Sequence, residues 1–325
     1  MLVRAARRAR RTLLRASGVP LAALLERLAR RSQTRVGIAL VYHRVGDPAG
    51  DLRRELVPAL GTRLFTRQVR YLRSRYALVT ASDLLCAAAA RTTGSPFPLA
   101  LTLDDDLHSH LTVAGPALRR HGATATFFLT GASLDERHTF WWEHLQTVVD
   151  HGLELPAEIR AEAGGATSIH ELGRAIEALP PAGRARVDAA LEALAGPGCG
   201  DEGLRRDDVA DLSSQGFEIG FHTIRHDRLT TLDDDSLARA LEDGRRDLEA
   251  ASRRPVTSIA YPHGAGDDRV ARAAERAAFR TGFTGQPEAV RPGSDPLLLG
   301  RVSPSYTSLG ELAFDIAWML FRSSR

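Results

Sequence analysis

Lysine is missing altogether: every one of the 43 Lys+Arg residues in this 325-residue chain is arginine. Cysteine is scarce, with Cys86 and Cys199 alone. Two such thiols cannot build a disulfide framework, and neither sits in a CxxC-type metal spacing. A reducing compartment is therefore the default. A long apolar run is also lacking. Near the N-terminus the stretch Val19–Leu25 is cut short by Glu26 and Arg27, which makes it a poor secretory signal and too short to span a bilayer. Acidic residues are nearly absent from residues 1–35, where ten arginines meet the single Glu26 for a net charge of +9. The rest carries 33 Arg against 39 acidic residues, a net of −6. The basic character thus belongs to a tail, and the mildly acidic body argues against a nucleic-acid-binding face.

What is present suits a globular protein. Hydrophobic residues make up 43% and charged residues 26%, ordinary proportions for a chain long enough to bury a barrel-sized core. Residues 1–31 are expected to form an Arg-rich amphipathic helix, broken near Gly18-Val-Pro20. Two readings of it stand: peripheral contact with anionic lipid on the inner face of the membrane, or a helix packed on the domain. The expected location is cytoplasmic in either case. From residue 36 onward, short apolar strands alternate with helices. The strands are expected at Val36–His43, Leu99–Asp106, Thr124–Thr130, Phe217–Phe221, Thr257–Tyr261, Arg280–Phe283 and Leu297–Val302, with a long helix over Leu237–Arg253. This alternation predicts an α/β fold with a parallel sheet, a distorted (β/α)7-type barrel over 36–325. Residues 143–205 are expected to be a helical insertion without a core of its own. The pair Trp141-Trp142 either anchors that insertion or lines a cleft.

The chemistry gathers at strand ends. Leu99-Ala-Leu-Thr-Leu runs into Asp104, Asp105 and Asp106. Neighbouring side chains on a strand alternate faces, but where the chain turns at the C-terminal end two can reach one pocket. Massing carboxylates there costs free energy unless a cation, protons or solvent offset it. His222 and His226 stand four apart, so on a helical turn both imidazoles face one way. Adding one strand-end carboxylate gives two His and one Asp with open positions, a catalytic rather than a structural metal site. The second carboxylate can then serve as a base beside a metal-activated water.

Thr102-Leu-Asp-Asp-Asp106, His222-Thr-Ile-Arg-His226 and Tyr261-Pro-His-Gly264 resemble the TFDDG, HTxxH and YPxG-type motifs of the polysaccharide deacetylase family (NodB homology, carbohydrate esterase family 4). Val41-Tyr-His-Arg-Val45 is similar to the YHxV opening of its poly-N-acetylglucosamine deacetylase-like members. The resemblance implies a metal-dependent hydrolase that removes acetyl groups from N-acetylated sugars. It assigns Asp104 as catalytic base and Asp105, His222 and His226 as ligands of a divalent metal, typically Zn²⁺. A backbone N–H of the turn, that of His263, would hold the oxyanion. The chain has no His after His263, so the YHxV residue His43 is assigned as general acid, with His263 as fallback. Arg301 is a candidate to orient Asp104. The chain departs from the pattern at Asp106, where the family has Gly. There a third carboxylate is expected to crowd the metal, or the backbone to need an unusual torsion. Two other readings stay open: a catalytically weak module binding glycan or a partner, and an amide or ester hydrolase with a non-glycan substrate.

Overall fold

The computed structural model describes residues 2–47, 54–162, 166, 168–196 and 203–324. Cys86 is free and exposed; Cys199 lies outside the described residues. Seven strands, β1 (Ile38–Tyr42), β2 (Ala77–Val79), β3 (Pro98–Asp104), β4 (Thr126–Leu129), β5 (Glu218–Phe221), β6 (Ser258–Ala260) and β7 (Thr281–Phe283), form one curled sheet. Its order is β1-β3-β4-β5-β6-β7, and every pair is parallel. β2 joins the first half of β3, at Pro98–Ala100, and β4 the second half, at Thr102–Asp104. All seven residues of β3 are buried, as a near-continuous apolar strand between covered faces should be.

No ladder among the described residues joins β7 to β1. Single bridges from Phe283 to Leu299 and from Leu40 to Val302 close that side instead. The strand expected at Leu297–Val302 is reduced to these bridges, and the distortion of the barrel lies there.

Thirteen α-helices surround the sheet among the described residues. They are α1 (Leu2–Arg30), α2 (Thr62–Arg75), α3 (Leu84–Ala90), α4 (Gly115–Arg120), α5 (Trp141–Asp150), α6 (Ala157–Glu162) and α7 (Ile169–Glu177), then α8 (Pro181–Ala195), α9 (Arg206–Ser214), α10 (Asp234–Glu242), α11 (Arg245–Ser252), α12 (Asp268–Arg276) and α13 (Leu309–Ser323). The long helix expected over Leu237–Arg253 is two, α10 and α11. Gly244 parts them at φ 78°, a torsion that glycine adopts without a Cβ penalty.

α1 differs from expectation too, for it runs through Pro20 without a break. Gly18 serves packing rather than termination. A Cβ there would lie 2.2 Å from the Gly310 carbonyl oxygen, and one at Gly310 would lie 2.0 Å from that of Leu14. α1 and α13 therefore cross backbone on backbone. Leu14, Gly18, Ala22, Glu26 and Ala29 are buried in turn, a stripe of helical period that faces the domain. Glu26, the one acid of the tail, is fully buried. It accepts from Arg75 Nε at 2.8 Å and Nη2 at 2.6 Å, from the Tyr71 hydroxyl at 3.0 Å and from the Tyr76 hydroxyl. No helix of the described residues is long and apolar enough to cross a membrane.

The segment between β4 and β5 is helical as expected, but it does have a cluster of its own. Trp141, Trp142, Leu145, Ile176, Val187 and Leu191 bury one another apart from the barrel core. The helical faces that make this cluster were readable, but their mutual contact was not.

Candidate active site

Asp104 ends β3 and Asp105 follows it. Ordinary extended geometry would send their side chains to opposite faces, but Asp105 adopts φ 75°, and both line one cavity. The same torsion recurs around that cavity. Among the described residues six non-glycine residues have positive φ, and Asp105, Thr223, His226 and His263 are four of them. Each costs on the order of 1–3 kcal/mol, and such strain concentrates where a site must be held in shape.

The expectation for Asp106 is corrected on both counts. The left-handed torsion falls on Asp105, not Asp106, and the Asp106 carboxylate turns to the end of β4. It accepts from the Thr130 N–H at 2.9 Å, the Thr130 hydroxyl at 2.7 Å and the Gly131 N–H at 3.0 Å. Burial, with the Asp105 charge adding to it, outweighs these bonds and raises its pKa to about 6. This carboxylate fastens a loop rather than a metal. Asp106→Gly should therefore lose about 2 kcal/mol of stability in chemical denaturation, because two buried N–H groups lose their acceptor. Acetate release should not rise; a large gain would restore the reading of Asp106 as a blemish on the site.

His222 follows β5, but the segment to His226 is no helical turn. It bends through Thr223 at φ 60° and His226 at φ 50°, closed by the His226 N–H on the Thr223 carbonyl at 3.2 Å. The rings nevertheless meet, with centroids 4.9 Å apart. Nδ1 of His222 donates to the Ala260 carbonyl at 2.8 Å, which leaves Nε2 facing Asp105 Oδ1 at 3.5 Å. His226 Nε2 faces that same oxygen, also at 3.5 Å.

The donor atoms of Asp105, His222 and His226 all lie within 4.8 Å of one another. Two ligands bound at about 2.0–2.2 Å in a tetrahedral site stand ~3.3 Å apart, so the set fits a divalent cation. The donor chemistry fits as well. Burial, with His263 and His222 adding to it, holds the His226 pKa well below the ordinary value, so this ring stays neutral, the form that can ligate a metal. Aromatic rings back it, Trp142 at 4.8 Å and Phe140 at 6.2 Å between centroids. Burial alone would lower His222, but Asp104 and Asp105 raise it above the ordinary range; a proton and a cation thus compete for one place. Burial opposes the charge of Asp105, yet His222 and the other imidazoles hold its pKa far down.

Asp104 is paired instead with Arg301, through Nη1 to Oδ1 at 2.6 Å and Nη2 to Oδ2 at 2.7 Å. Both side chains are 2% exposed. Arg301 is itself fixed by the Thr102 hydroxyl at 3.1 Å and the Thr284 carbonyl at 3.3 Å. Burial would push Asp104 up, but the guanidinium brings its pKa below the ordinary carboxylate value.

His43, just past β1, lines the same cavity. Its carbonyl meets His110 Nε2 at 3.2 Å, while its ring makes no hydrogen bond among the described residues. His263 is committed at both nitrogens: Nδ1 to Glu177 at 2.9 Å and Nε2 at the His226 carbonyl, 3.3 Å away. Glu177, on α7, also accepts from Arg228; His263 and Arg228 lower its pKa to about 2. Arg184 of α8 donates to Asp227, the residue after His226.

Sequence reasoning missed these contacts of the insertion. Its signal was spacing: His170, Gly173, Arg174 and Glu177 share one helical face, and that face lines the cavity. The volume enclosed is about 700 Å³. Trp141 and Trp142 serve both expected roles, since they belong to the insertion cluster and line the cavity.

Fold and site together define a class of protein, a parallel α/β barrel whose polar groups, a candidate metal triad among them, gather at the strand ends. Residues 182–282 match the sequence model of the polysaccharide deacetylase family. That span holds His222, His226 and the Tyr261–Gly264 turn, and leaves Asp104 and Asp105 outside it. Over that span the chain is similar to the polysaccharide deacetylase family.

The fold is that of solved deacetylases. The Streptococcus pyogenes deacetylase PplD, solved in complex with acetate, superposes with a TM-score of 0.60 at 15% identity, over 88% of this chain and 98% of that one. A polysaccharide deacetylase of Bacillus cereus gives 0.57 at 17% identity, over 88% and 69%. IcaB from Ammonifex degensii gives 0.54 at 18%, over 86% and 97%. No curated protein matches the chain by sequence.

Proposed function

We propose that this protein removes acetyl groups from N-acetylated sugars in a glycan or glycan precursor, with a divalent cation, Zn²⁺ by preference, held by Asp105, His222 and His226. The observation that carries the reading is one cavity onto which this triad, a buried ionised Asp104 and the His43 ring all open. When bound, the cation would polarise the acetyl carbonyl and lower the pKa of water.

The chain's own residues supply the rest. Asp104 is the base, and its pairing with Arg301 keeps it ionised at neutral pH and fixes its orientation. It takes a proton from the attacking water. His43 is the general acid, delivering a proton to the nitrogen of the departing amine. It is preferred to His263, whose ring nitrogens are already engaged. The backbone N–H of His263 is assigned to the oxyanion. Amide and water thus give free amine and acetate. Trp141, Trp142, Leu56 and Val57 line the cavity with apolar surface, suited to the face of a sugar ring.

The test uses the full chain, stripped by chelator and then reloaded. It should hold about one divalent ion per chain and release acetate from N-acetylhexosamine oligomers only when loaded. Loaded protein that spares these oligomers but cleaves other acyl amides or esters would move the reading to a non-glycan hydrolase. Loaded protein without turnover on any acyl substrate would leave a binding module.

A further inference from the structure

The outer face of α1 carries a feature unrelated to the catalytic cavity. Among the described residues seven large apolar side chains are conspicuously exposed, and four of them are Leu13, Leu21, Leu24 and Leu28 of α1; a fifth is Trp318 of α13. At 100° per residue the four leucines fall within an arc of ~80°, on the face beside the stripe of Leu14, Gly18, Ala22 and Ala29 that packs on the domain. Leu24 also borders a second cavity, of about 530 Å³, whose lining includes Arg27, Arg30, Arg31 and Arg75 and no acidic residue.

Two of these arginines are engaged by the fold, Arg30 donating to the Arg75 carbonyl and Arg75 pairing with Glu26, and two are not. Arg27 and Arg31 are exposed and make no ion pair among the described residues. Nε of Arg30 is buried without a partner. The single acid of the tail, Glu26, is buried and taken up by Arg75. The helix C-terminus would ordinarily weaken a positive field. Here Arg91 answers it, donating to the carbonyls of Arg30 at 3.2 Å, Ser32 at 3.2 Å and Thr34 at 2.7 Å.

We infer that this face docks on an anionic phospholipid membrane, with lipid phosphate held in the arginine cavity and the leucines set among the headgroups. Charge complementarity selects the occupant. A face of arginine without acid, beside a strip of leucine on a helix that cannot span a bilayer, suits an anionic interface. A neutral protein surface would match the leucines alone. Arg31, Arg75 and Gly94 precede β1, β2 and β3, so the arginine cavity lies at the N-terminal end of the barrel, whereas the catalytic cavity lies at the C-terminal ends of the strands. A docked protein would thus keep its catalytic mouth away from the headgroups bound at this cavity.

The test is co-sedimentation of the full chain with vesicles of phosphatidylcholine, alone or mixed with phosphatidylglycerol, in low and high salt. Binding should require phosphatidylglycerol and fade with salt, as counter-ions screen exposed charge. R27E/R31E should weaken it at least tenfold, because each basic residue lost near the surface is worth about fivefold. L24S/L28S should weaken it severalfold while leaving the salt dependence. These residues are exposed and outside the catalytic cavity, so unchanged melting temperatures would show that both variants fold. Inorganic phosphate at matched ionic strength should leave vesicle binding intact. Phosphate that releases the protein from vesicles and raises its melting temperature would make the cavity a free-anion site and overturn the membrane reading. Equal binding to both vesicle types, binding unchanged in R27E/R31E, or no binding would overturn it as well.

Discussion

The double substitution His222→Ala/His226→Ala should strip the protein of its divalent ion and reduce acetate release by on the order of 10³-fold or more, the size expected when Lewis-acid stabilisation worth several kcal/mol is lost. Metal analysis and an acetate assay on the same samples check it. The stability of the metal-free protein should change as well, and its sign is informative. In the native chain burial works against the Asp105 charge, but His222, His43 and His226 hold its pKa below the ordinary value. Such a depressed carboxylate contributes stability that is present above its unfolded pKa and lost as pH falls through the folded one. Without the two imidazoles burial dominates, and the Asp105 pKa rises instead. The metal-free variant should then lose stability, relative to the metal-free parent, as pH rises from about 4 to 7. A double variant that keeps its metal, or keeps full acetate release without it, would remove the basis of the proposed chemistry.

The parts of the site that could be read from sequence share one property: their signal is local. Asp104, Asp105, His222 and His226 stand directly behind apolar strands, and strand ends are where parallel α/β folds gather polar groups. The alternation of strands and helices likewise made the curled parallel sheet legible, because each element declares its period within a few residues.

What could not be read depends on contacts distant in sequence or on single torsions. Arg301 reaches Asp104 from 197 residues away, so it could be named only as a candidate. Glu177 and Arg184 belong to a segment whose composition suggests helices but not what those helices touch. The motif marked position 106 as the unusual one, yet the left-handed residue is Asp105; carboxylates in sequence do not reveal which of them absorbs the turn. Gly18 looked like a helix breaker because a glycine that ends a helix and one that admits a neighbouring backbone are alike in sequence.

Arg301→Ala should be among the most damaging single changes outside the metal ligands, and its pH profile separates a positioning role from plain loss of structure. Arg301 and Asp104 are both 2% exposed. Removing one partner of such a pair leaves a buried charge uncompensated, at a cost of about 3–5 kcal/mol. In the parent, burial is outweighed by the guanidinium and by His222, and the Asp104 pKa lies below the ordinary 3.8. Its ionised form is therefore favoured by folding, with stability present above that value and lost only in strong acid. In the variant burial prevails, the pKa rises, and the destabilisation grows as pH increases. Denaturation at pH near 4 and near 7 should show the larger loss at the higher pH. The acid limb of acetate release should move upward too, since Asp104 accepts a proton only when ionised. Arg301→Lys should restore the position of that limb in part, because an ammonium supplies the charge but not the two parallel hydrogen bonds of the guanidinium. A variant that loses activity equally at every pH, with no shift of the limb and no rescue by lysine, would reduce Arg301 to a structural residue and leave Asp104 without its tuning group.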